Sequence, residues 1–282
     1  MESKYLQQRE DGLWLTEDER ENLKVSYRIR EVVFAQDSPV QNIMILDSYD
    51  FGRMLVLDGV VQTTSIDGYI YNELIAHVPL NFHPNARNVL IIGGGDLGAA
   101  REVAKYPNIE QIDLVEIDEL VVKVCKEYLP EVSGNLSDPR VNFLYQDGVK
   151  FVQNIQDQYD VIIVDSSDPV GPAQQLFELS FYKDLYRALR EDGLMVCQSQ
   201  SPIFHQDILT QTYKHIQSLF PVTKLYTAIV PTYPGGLWSF TLGSKKYATL
   251  TGSVRGKNTL YVNQEILENC FNLPEFLKRK IS

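Results

Sequence analysis

Five short, continuously apolar runs separated by helical stretches constrain the fold of this chain more than any other feature. The runs are Val89–Ile92, Ile112–Val115, Val141–Leu144, Val161–Val164 and Leu194–Cys197. Strands that are apolar on both faces and alternate with helices are typical of a parallel sheet covered by helices on both sides. Two later β runs, Thr223–Ile229 and Trp238–Leu242, are expected to close the sheet with an antiparallel strand. We therefore predict a mostly parallel α/β domain over residues 66–282.

The residues before this domain have a different pattern. Ser26–Gln36 alternates apolar and polar side chains, as a half-buried strand does, and Val40–Leu46 follows as a second strand. Two further strands flank Asp58-Gly59, a dipeptide that favours a tight hairpin turn. We predict a small antiparallel β domain over residues 1–65. A helix over Ile70–Val78, ending near Pro79, is expected to follow it.

Composition and charge exclude several classes of function. The net charge is −11 and the isoelectric point about 4.9, so the protein is expected to bind neither nucleic acid nor an anionic membrane surface, whereas cations would be attracted. No apolar run approaches the roughly 20 residues that span a bilayer. The three cysteines lack metal-site and disulfide-framework spacing, and the four histidines lack metal-ligand spacing. We expect a cytoplasmic protein without a metal site.

Three consecutive strand ends carry residues suited to a nucleoside. Gly93-Gly94-Gly95 directly follows the first strand, and such glycines allow a ligand to approach the backbone closely. Glu116 ends the next strand, where a carboxylate can accept the ribose hydroxyls, and Asp147 ends the third, where it can accept the adenine amino group. Because the G-x-G-x-x-G phosphate motif is absent, we favour an S-adenosyl ligand over NAD.

The segment Asp165–Pro172 follows the fourth strand and contains a second acid, Asp168. Ligands of open α/β sheets bind at these carboxyl ends of the strands. Two neighbouring carboxylates disfavour each other's charge, so we expect one of the two pKa values to be raised. A carboxylate with a raised pKa is a better general base toward an ammonium proton.

Taken together, these blocks resemble the signature blocks of the spermidine synthases. The resemblance also includes the hairpin Leu57–Gln62 and the segment Pro231–Pro234, and it extends in order from about residue 12 to residue 246. It implies a methyltransferase-like Rossmann sheet that binds an S-adenosyl donor. The family members are commonly dimers or tetramers, so a homodimer or homotetramer is expected.

The resemblance also implies roles for individual positions. The positions that correspond to nucleoside-binding residues of the donor site are Gln41, Glu116, Asp147, Gly148 and Pro172. Asp165 corresponds to the proton acceptor. The positions that correspond to residues around the amine and aminopropyl groups are Tyr71, Asp96, Asp168 and Tyr233.

The chain departs from the family pattern near the amine. Leu97 follows Asp96 where the family has glycine, and Gly68 stands where it usually has an acid. Asn72 replaces the usual His or Gln, and Gln200 replaces a common acid; both are counted among the substrate-binding residues. Unless another acid compensates, for example Asp67 or Glu73, the far end of the amine site is expected to be less negative than usual.

We therefore predict a spermidine synthase. It would transfer the aminopropyl group of decarboxylated S-adenosylmethionine to putrescine, giving spermidine and 5′-methylthioadenosine, with no tightly bound cofactor. One alternative is an aminopropyltransferase for another amine, such as agmatine or cadaverine, or one that uses a carboxylated donor. From other classes, a methyltransferase that uses S-adenosylmethionine and a catalytically inactive binding protein remain alternatives.

Overall fold

The computed structural model describes residues 4–169 and 171–282, except for the side chain of Pro172, and it begins with an antiparallel sheet. Each strand of this sheet pairs with the next in chain order. Its strands are β1 (Leu6–Arg9), β2 (Gly12–Arg20), β3 (Leu23–Asp37), β4 (Asn42–Ser48), β5 (Gly52–Leu57) and β6 (Val60–Thr64). Asp58-Gly59 forms the predicted hairpin turn between β5 and β6. The predicted boundary at residues 65/66 falls just after β6 and stays a prediction.

Strands β1 and β2 were not expected from the sequence. The alternation of apolar and polar residues in β2 stops at the charged run Glu17–Arg20. Glu17 and Glu19 occupy inward-facing positions in this run, where an apolar residue would be expected. Leu15 of β2 and Val61 of β6 share one apolar core with Met44 of β4. The sheet is therefore curved so that β2 and β6 approach each other.

The second sheet has seven strands in the order β12-β13-β11-β10-β7-β8-β9. They are β7 (Asn88–Gly93), β8 (Gln111–Glu116), β9 (Val141–Tyr145), β10 (Tyr159–Asp165), β11 (Leu189–Gln198), β12 (Val222–Ile229) and β13 (Leu237–Ser244). Strands β7 to β11 pair in parallel, and β12 and β13 close one edge antiparallel, which confirms the predicted topology. Chain order reverses between β7 and β10, where ligands bind in such sheets.

Helices cover both faces of this sheet. They are α1 (Gly68–Phe82), α2 (Gly98–Ala104), α3 (Glu119–Tyr128), α4 (Pro130–Ser133), α5 (Gly148–Val152), a 3₁₀ helix (Gly171–Phe177), α6 (Leu179–Ala188), α7 (Gln206–Gln217), α8 (Gln264–Asn269) and α9 (Glu275–Ile281). Ile91 and Leu74 lie in the core on one face, whereas Leu90 and Phe181 lie in the core on the other. In the described part of the chain, no helix is long and apolar enough to cross a membrane.

Helix α1 does not end at Pro79, so that prediction was wrong. It continues to Phe82, and His83 donates its backbone N–H to the Pro79 carbonyl at 3.1 Å. A proline inside a helix costs roughly 3 kcal/mol or more. Every residue of α1 except Tyr69 is buried, so packing on all sides of the helix offsets that cost.

Candidate active site

A cavity of about 460 Å³ lies at the carboxyl ends of β7, β8 and β10. Residues of β2 and β6 and of the segment between β12 and β13 close it from the other side. The predicted site residues that line it are Gln41, Tyr71, Asp96, Glu116, Asp147, Gly148, Asp165, Asp168 and Tyr233. Asn72 and Gln200 lie behind the wall, and the side chain of Pro172 is outside the described part of the structure.

The end of β8 supplies the acid predicted to bind a ribose. Glu116 is 8% exposed, and its Oε1 accepts the backbone N–H of Asp118 at 3.0 Å. Burial raises the pKa of Glu116 to about 7. Asp118 also accepts a hydrogen bond from the Gln41 carboxamide at 3.1 Å, which orients Gln41 at the cavity wall. The structure thus adds Asp118 as the residue that positions Gln41.

Asp147 and Gly148 lie where β9 gives way to α5. Asp147 caps the helix, and its Oδ1 accepts the backbone N–H of Val149 at 2.9 Å. The other carboxylate oxygen is 3.7 Å from the Lys150 ammonium. The cap holds the Asp147 side chain in one orientation at the cavity wall, next to Gly148.

Asp165 and Tyr71 meet at the cavity wall. The tyrosine hydroxyl donates to Asp165 Oδ1 at 2.8 Å. The Asp165 backbone carbonyl accepts the N–H of Gly94 at 2.9 Å, which joins the ends of β10 and β7. Gly93 has φ +80°, and a Cβ there would lie 2.1 Å from the Asp165 carbonyl oxygen. Only glycine fits at position 93, because any Cβ there would overlap the Asp165 carbonyl oxygen.

Burial raises the pKa of Asp165 to about 8, and the nearby Asp96 carboxylate contributes to the increase. The hydrogen bond from Tyr71 acts in the opposite direction. Burial also raises the pKa of Asp96, although Asp96 Oδ1 accepts the Gly98 backbone N–H at 2.9 Å. A raised pKa in this block was predicted, but with Asp168 as the interacting acid. The partner is Asp96, because β7 and β10 are adjacent and place their following loops together.

Asp168 lies farther along the same loop and is held by Gln200. The Gln200 carboxamide donates to Asp168 Oδ1 at 2.7 Å. Gln200 is 1% exposed and has φ +69°, a left-handed conformation that is uncommon outside glycine. Its backbone N–H donates to Gln198 Oε1 at 2.9 Å. Gln200 thus orients Asp168 from behind rather than lining the cavity.

The other departures from the family pattern also lie outside the cavity wall. Asn72 is buried beside Gly98 and Asp96. Gly68 is buried at the start of α1, where a Cβ would lie 2.3 Å from the Thr63 hydroxyl oxygen. A larger residue at this position would therefore need Thr63 to move, so Gly68 fits the packing of this chain.

Neither acid that was expected to compensate lines the cavity. Asp67 holds the segment between β12 and β13 in place, because its Oδ2 accepts the backbone N–H of Thr232 at 2.7 Å. Glu73 faces the C-terminal segment and accepts the backbone N–H groups of residues 260–262 at 2.7–2.9 Å. Both carboxylates are thus committed to holding backbone segments in place.

Two acids that sequence reasoning missed, Glu17 and Glu19 of β2, do line the cavity. Burial raises the pKa of Glu17 to about 8, and its Oε1 accepts the Val61 backbone N–H. The signal was available in the sequence, since both acids continue the inward-facing phase set by Leu15. Acids at apolar positions of a strand indicate a polar cavity, but the same charges interrupt the apolar alternation by which a strand is predicted.

Aromatic side chains complete the wall. Tyr233 packs edge-on against Trp238 with ring centroids 4.6 Å apart, and it also contacts Tyr71. Among the described residues, no group of His, Cys, Asp or Glu is arranged to hold a metal ion. The cavity therefore combines aromatic surfaces with carboxyl groups, a pairing suited to an organic cation.

Two family models match the chain. Residues 68–252 match the spermine/spermidine synthase domain, and residues 13–65 match the spermidine synthase tetramerisation domain. A polyamine aminopropyltransferase of Thermoanaerobacter sp. (strain X514) is 46% identical over 94% of this chain and 97% of that protein. One from Caldicellulosiruptor saccharolyticus is 47% identical over 95% of this chain and 98% of that protein.

Solved structures agree with these matches. A spermidine synthase in complex with the transition-state analogue AdoDATO superposes with a TM-score of 0.91 and 34% identity, covering 99% of this chain and 98% of that chain. The spermidine synthase from Thermotoga maritima superposes with a TM-score of 0.90 and 34% identity, covering 99% and 97%. The predicted fold class is thereby confirmed.

Proposed function

Because this chain belongs to the spermine/spermidine synthase family and is an aminopropyltransferase, we propose that it transfers the aminopropyl group of decarboxylated S-adenosylmethionine to putrescine. The observation that carries this proposal is the pair formed by Asp165 and Tyr71. The pair lines the same cavity as the predicted nucleoside-binding residues, several further acids and the aromatic rings of Tyr233 and Trp238. The products would be spermidine and 5′-methylthioadenosine.

The donor would occupy the side of the cavity formed by β8 and β9. Glu116 accepts the ribose hydroxyls, and Asp147 accepts the adenine amino group through the oxygen that does not cap α5. Gln41, held by Asp118, completes this side. The positively charged sulfonium and aminopropyl ammonium then lie near Asp96, and their charge favours the ionised form of the surrounding carboxyl groups.

Transfer forms one bond and breaks one. The neutral amine nitrogen of putrescine attacks the methylene carbon bonded to the sulfonium. The carbon–sulfur bond breaks, and its electron pair stays on sulfur as a neutral thioether. Putrescine is an ammonium ion near pH 7, since alkylamines have a pKa near 10, so a proton must leave the attacking nitrogen. Asp165 accepts it in its ionised form, which the positive charges of the bound donor favour, and its raised pKa makes it a stronger proton acceptor than an ordinary aspartate.

The proposal is tested by incubating the enzyme with both donors and a panel of amines and weighing the products. We expect putrescine and decarboxylated S-adenosylmethionine to give spermidine. A methyl addition from S-adenosylmethionine would instead indicate a methyltransferase, and a preference for agmatine or cadaverine would replace putrescine as the acceptor.

The role of Asp165 is tested with Asp165→Asn. We expect turnover to fall by about 10²–10⁴-fold, as is usual when a general base is removed. Binding of 5′-methylthioadenosine, followed by calorimetry, is expected to stay near the wild-type value. Asp207→Asn, which removes an exposed acid of α7, serves as the control. An Asp165→Asn enzyme that keeps more than a third of wild-type turnover would exclude Asp165 as the base.

We also propose a homo-oligomer assembled through the N-terminal sheet. Residues 13–65, which form most of this sheet, are the part that matches the tetramerisation domain. A small sheet has edges and faces to cover, and a second copy would cover them. Light scattering at micromolar concentration is expected to give the mass of a dimer or tetramer, and a monomer mass would contradict this.

A further inference from the structure

The cavity contains more carboxyl groups than the transfer step uses. Asp165, Asp96 and Glu116 are assigned to the base and the donor. Glu17 and Glu19 enter from β2 on the opposite wall, in the part of the cavity that also contains Asp168. Burial raises the pKa of both glutamates and the charge of Asp168 raises it further, so the three acids lie within electrostatic reach of one another. Glu17, Glu19 and Asp168 take no part in the transfer step itself.

Gln200 does not supply charge at this end. The family commonly has an acid at this position, whereas here the Gln200 amide donates to Asp168 Oδ1 at 2.7 Å. Asp67 and Glu73 are bonded to backbone N–H groups of Thr232 and of residues 260–262. A carboxylate that replaces the acid usual at the position of Gln200 must therefore come from another strand, helix or loop that lines the cavity.

Of the two acids of β2 that line the cavity, Glu17 and Glu19, Glu19 is the one available to a ligand. Glu17 is 5% exposed, its Oε1 accepts the Val61 N–H, and burial raises its pKa to about 8, so near pH 7 it is mostly uncharged. Glu19 lines the cavity wall, and 12% of its side chain is exposed. His205 Nε2 and Glu19 Oε1 are 3.7 Å apart, too far for a hydrogen bond.

The cations around Glu19 leave its carboxylate free for a ligand. Burial lowers the pKa of His205, so the imidazole is mostly neutral near pH 7. Arg20 follows Glu19 on β2 and is exposed on the opposite face of the strand, although its charge partly offsets the increase that burial and Asp168 cause in the Glu19 pKa. An ammonium ion between Glu19 and Asp168 would stabilise the ionised form of both acids.

We propose that Glu19 is a specificity-determining residue that binds the far ammonium group of the acceptor together with Asp168. In this arrangement Glu19 supplies, from the N-terminal sheet, the charge that Gln200 lacks. The inference rests on the proposed function and narrows its acceptor class to amines with a cationic group at the end remote from the reacting nitrogen. A monoamine of equal length would leave the carboxylates of Glu19 and Asp168 without a partner.

The test compares Glu19→Gln with wild type, using putrescine and n-butylamine as acceptors. A hydrogen bond between charged groups contributes enough that its loss changes affinity about tenfold or more. We therefore expect the KM for putrescine to rise about tenfold, while the KM for the donor and the kinetics with butylamine stay unchanged. Glu19→Asp, which keeps the charge, should recover part of the loss. Glu21→Gln, which removes an exposed acid in the turn after β2, is the matched control.

Failure of the Glu19 role and failure of the proposed function give different results. If wild type transfers the aminopropyl group but Glu19→Gln leaves the preference for putrescine over butylamine unchanged, the role of Glu19 is overturned and the proposed function stands. The role is also overturned if Glu21→Gln changes the putrescine KM as much as Glu19→Gln does. If wild type transfers an aminopropyl group to no amine, the proposed function itself fails.

Discussion

At the scale of single residues, the hydrogen bond between Tyr71 and Asp165 moderates the high proton affinity that burial gives the Asp165 carboxylate. Burial raises the pKa of the carboxyl group, and the tyrosine hydroxyl partly offsets this by donating to the ionised form. Burial also raises the pKa of Tyr71 well above 10, so the hydroxyl keeps its proton across the working pH range. Tyr71 therefore acts as a donor to Asp165 and orients it.

Replacing Tyr71 with phenylalanine removes that donor, so the Asp165 pKa should rise further. A hydrogen bond to a charged group corresponds to about 1–2 pKa units. We expect the midpoint of the rise in kcat/KM with pH to move upward by about this amount and turnover at pH 7 to fall about tenfold or more. Tyr69→Phe on the same helix is the control, because Tyr69 does not line the cavity. An unchanged midpoint would mean that Tyr71 does not act on the base.

At the scale of elements, the segment between β12 and β13 depends on the N-terminal half of the chain. The Thr232 backbone N–H donates to Asp67, and the Thr232 carbonyl accepts from the Tyr27 hydroxyl at 2.7 Å. The Tyr233 hydroxyl donates to the Gln62 carbonyl at 2.8 Å. Tyr233 is thus held at the cavity wall by β3, β6 and the start of α1.

Asp67→Ala should loosen this segment without changing the donor side of the cavity. The Thr232 amide loses its acceptor, and leaving a buried group unsatisfied costs about 1–3 kcal/mol. We expect faster hydrogen exchange at Thr232 and a higher KM for the amine, with the KM for the donor nearly unchanged. Asp67→Asn, which keeps an oxygen acceptor, should recover most of the protection. Equal exchange rates in Asp67→Ala and wild type would show that Asp67 does not hold the segment.

At the scale of the whole molecule, the cavity concentrates acids that are costly to ionise. Burial raises the pKa of Glu17 to about 8 and that of Glu116 to about 7, while unfolded glutamate has a pKa of about 4.3. Between these values the unfolded chain binds fewer protons than the folded chain. Folding stability contributed by these groups therefore falls as pH rises from about 4 to 8 and is constant above that range.

Glu17→Gln tests this dependence, because the amide oxygen can still accept the Val61 N–H. We expect the variant without ligands to match wild type near pH 4 and to be increasingly more stable than wild type up to about pH 8. Melting temperatures measured across this range should show the difference, at roughly 2–4 °C for each kcal/mol. Glu21→Gln should show no such trend. A difference that is independent of pH would contradict the raised pKa of Glu17.

The sequence by itself determined the order of strands β7 to β13 and placed acids at the ends of β8, β9 and β10, whereas β1 and β2 were not predicted. Apolar runs alternating with helices require a parallel sheet, and loops after parallel strands meet at one edge, so Glu116, Asp147 and Asp165 could be assigned to one site. The helix end at Pro79 was misjudged, because burial of α1 is a tertiary effect.

Only the tertiary structure decided which acids act on one another. Asp96 and Asp165 are distant in sequence, and the adjacency of β7 and β10 makes Asp96 the neighbour that raises the Asp165 pKa. Glu19 reaches the cavity because the N-terminal sheet curves over the ends of the parallel strands. The spacing of apolar residues along the sequence indicates on which face of a helix or strand a side chain lies. The charges that share a cavity depend on the packing between elements, which has no local signature in the sequence.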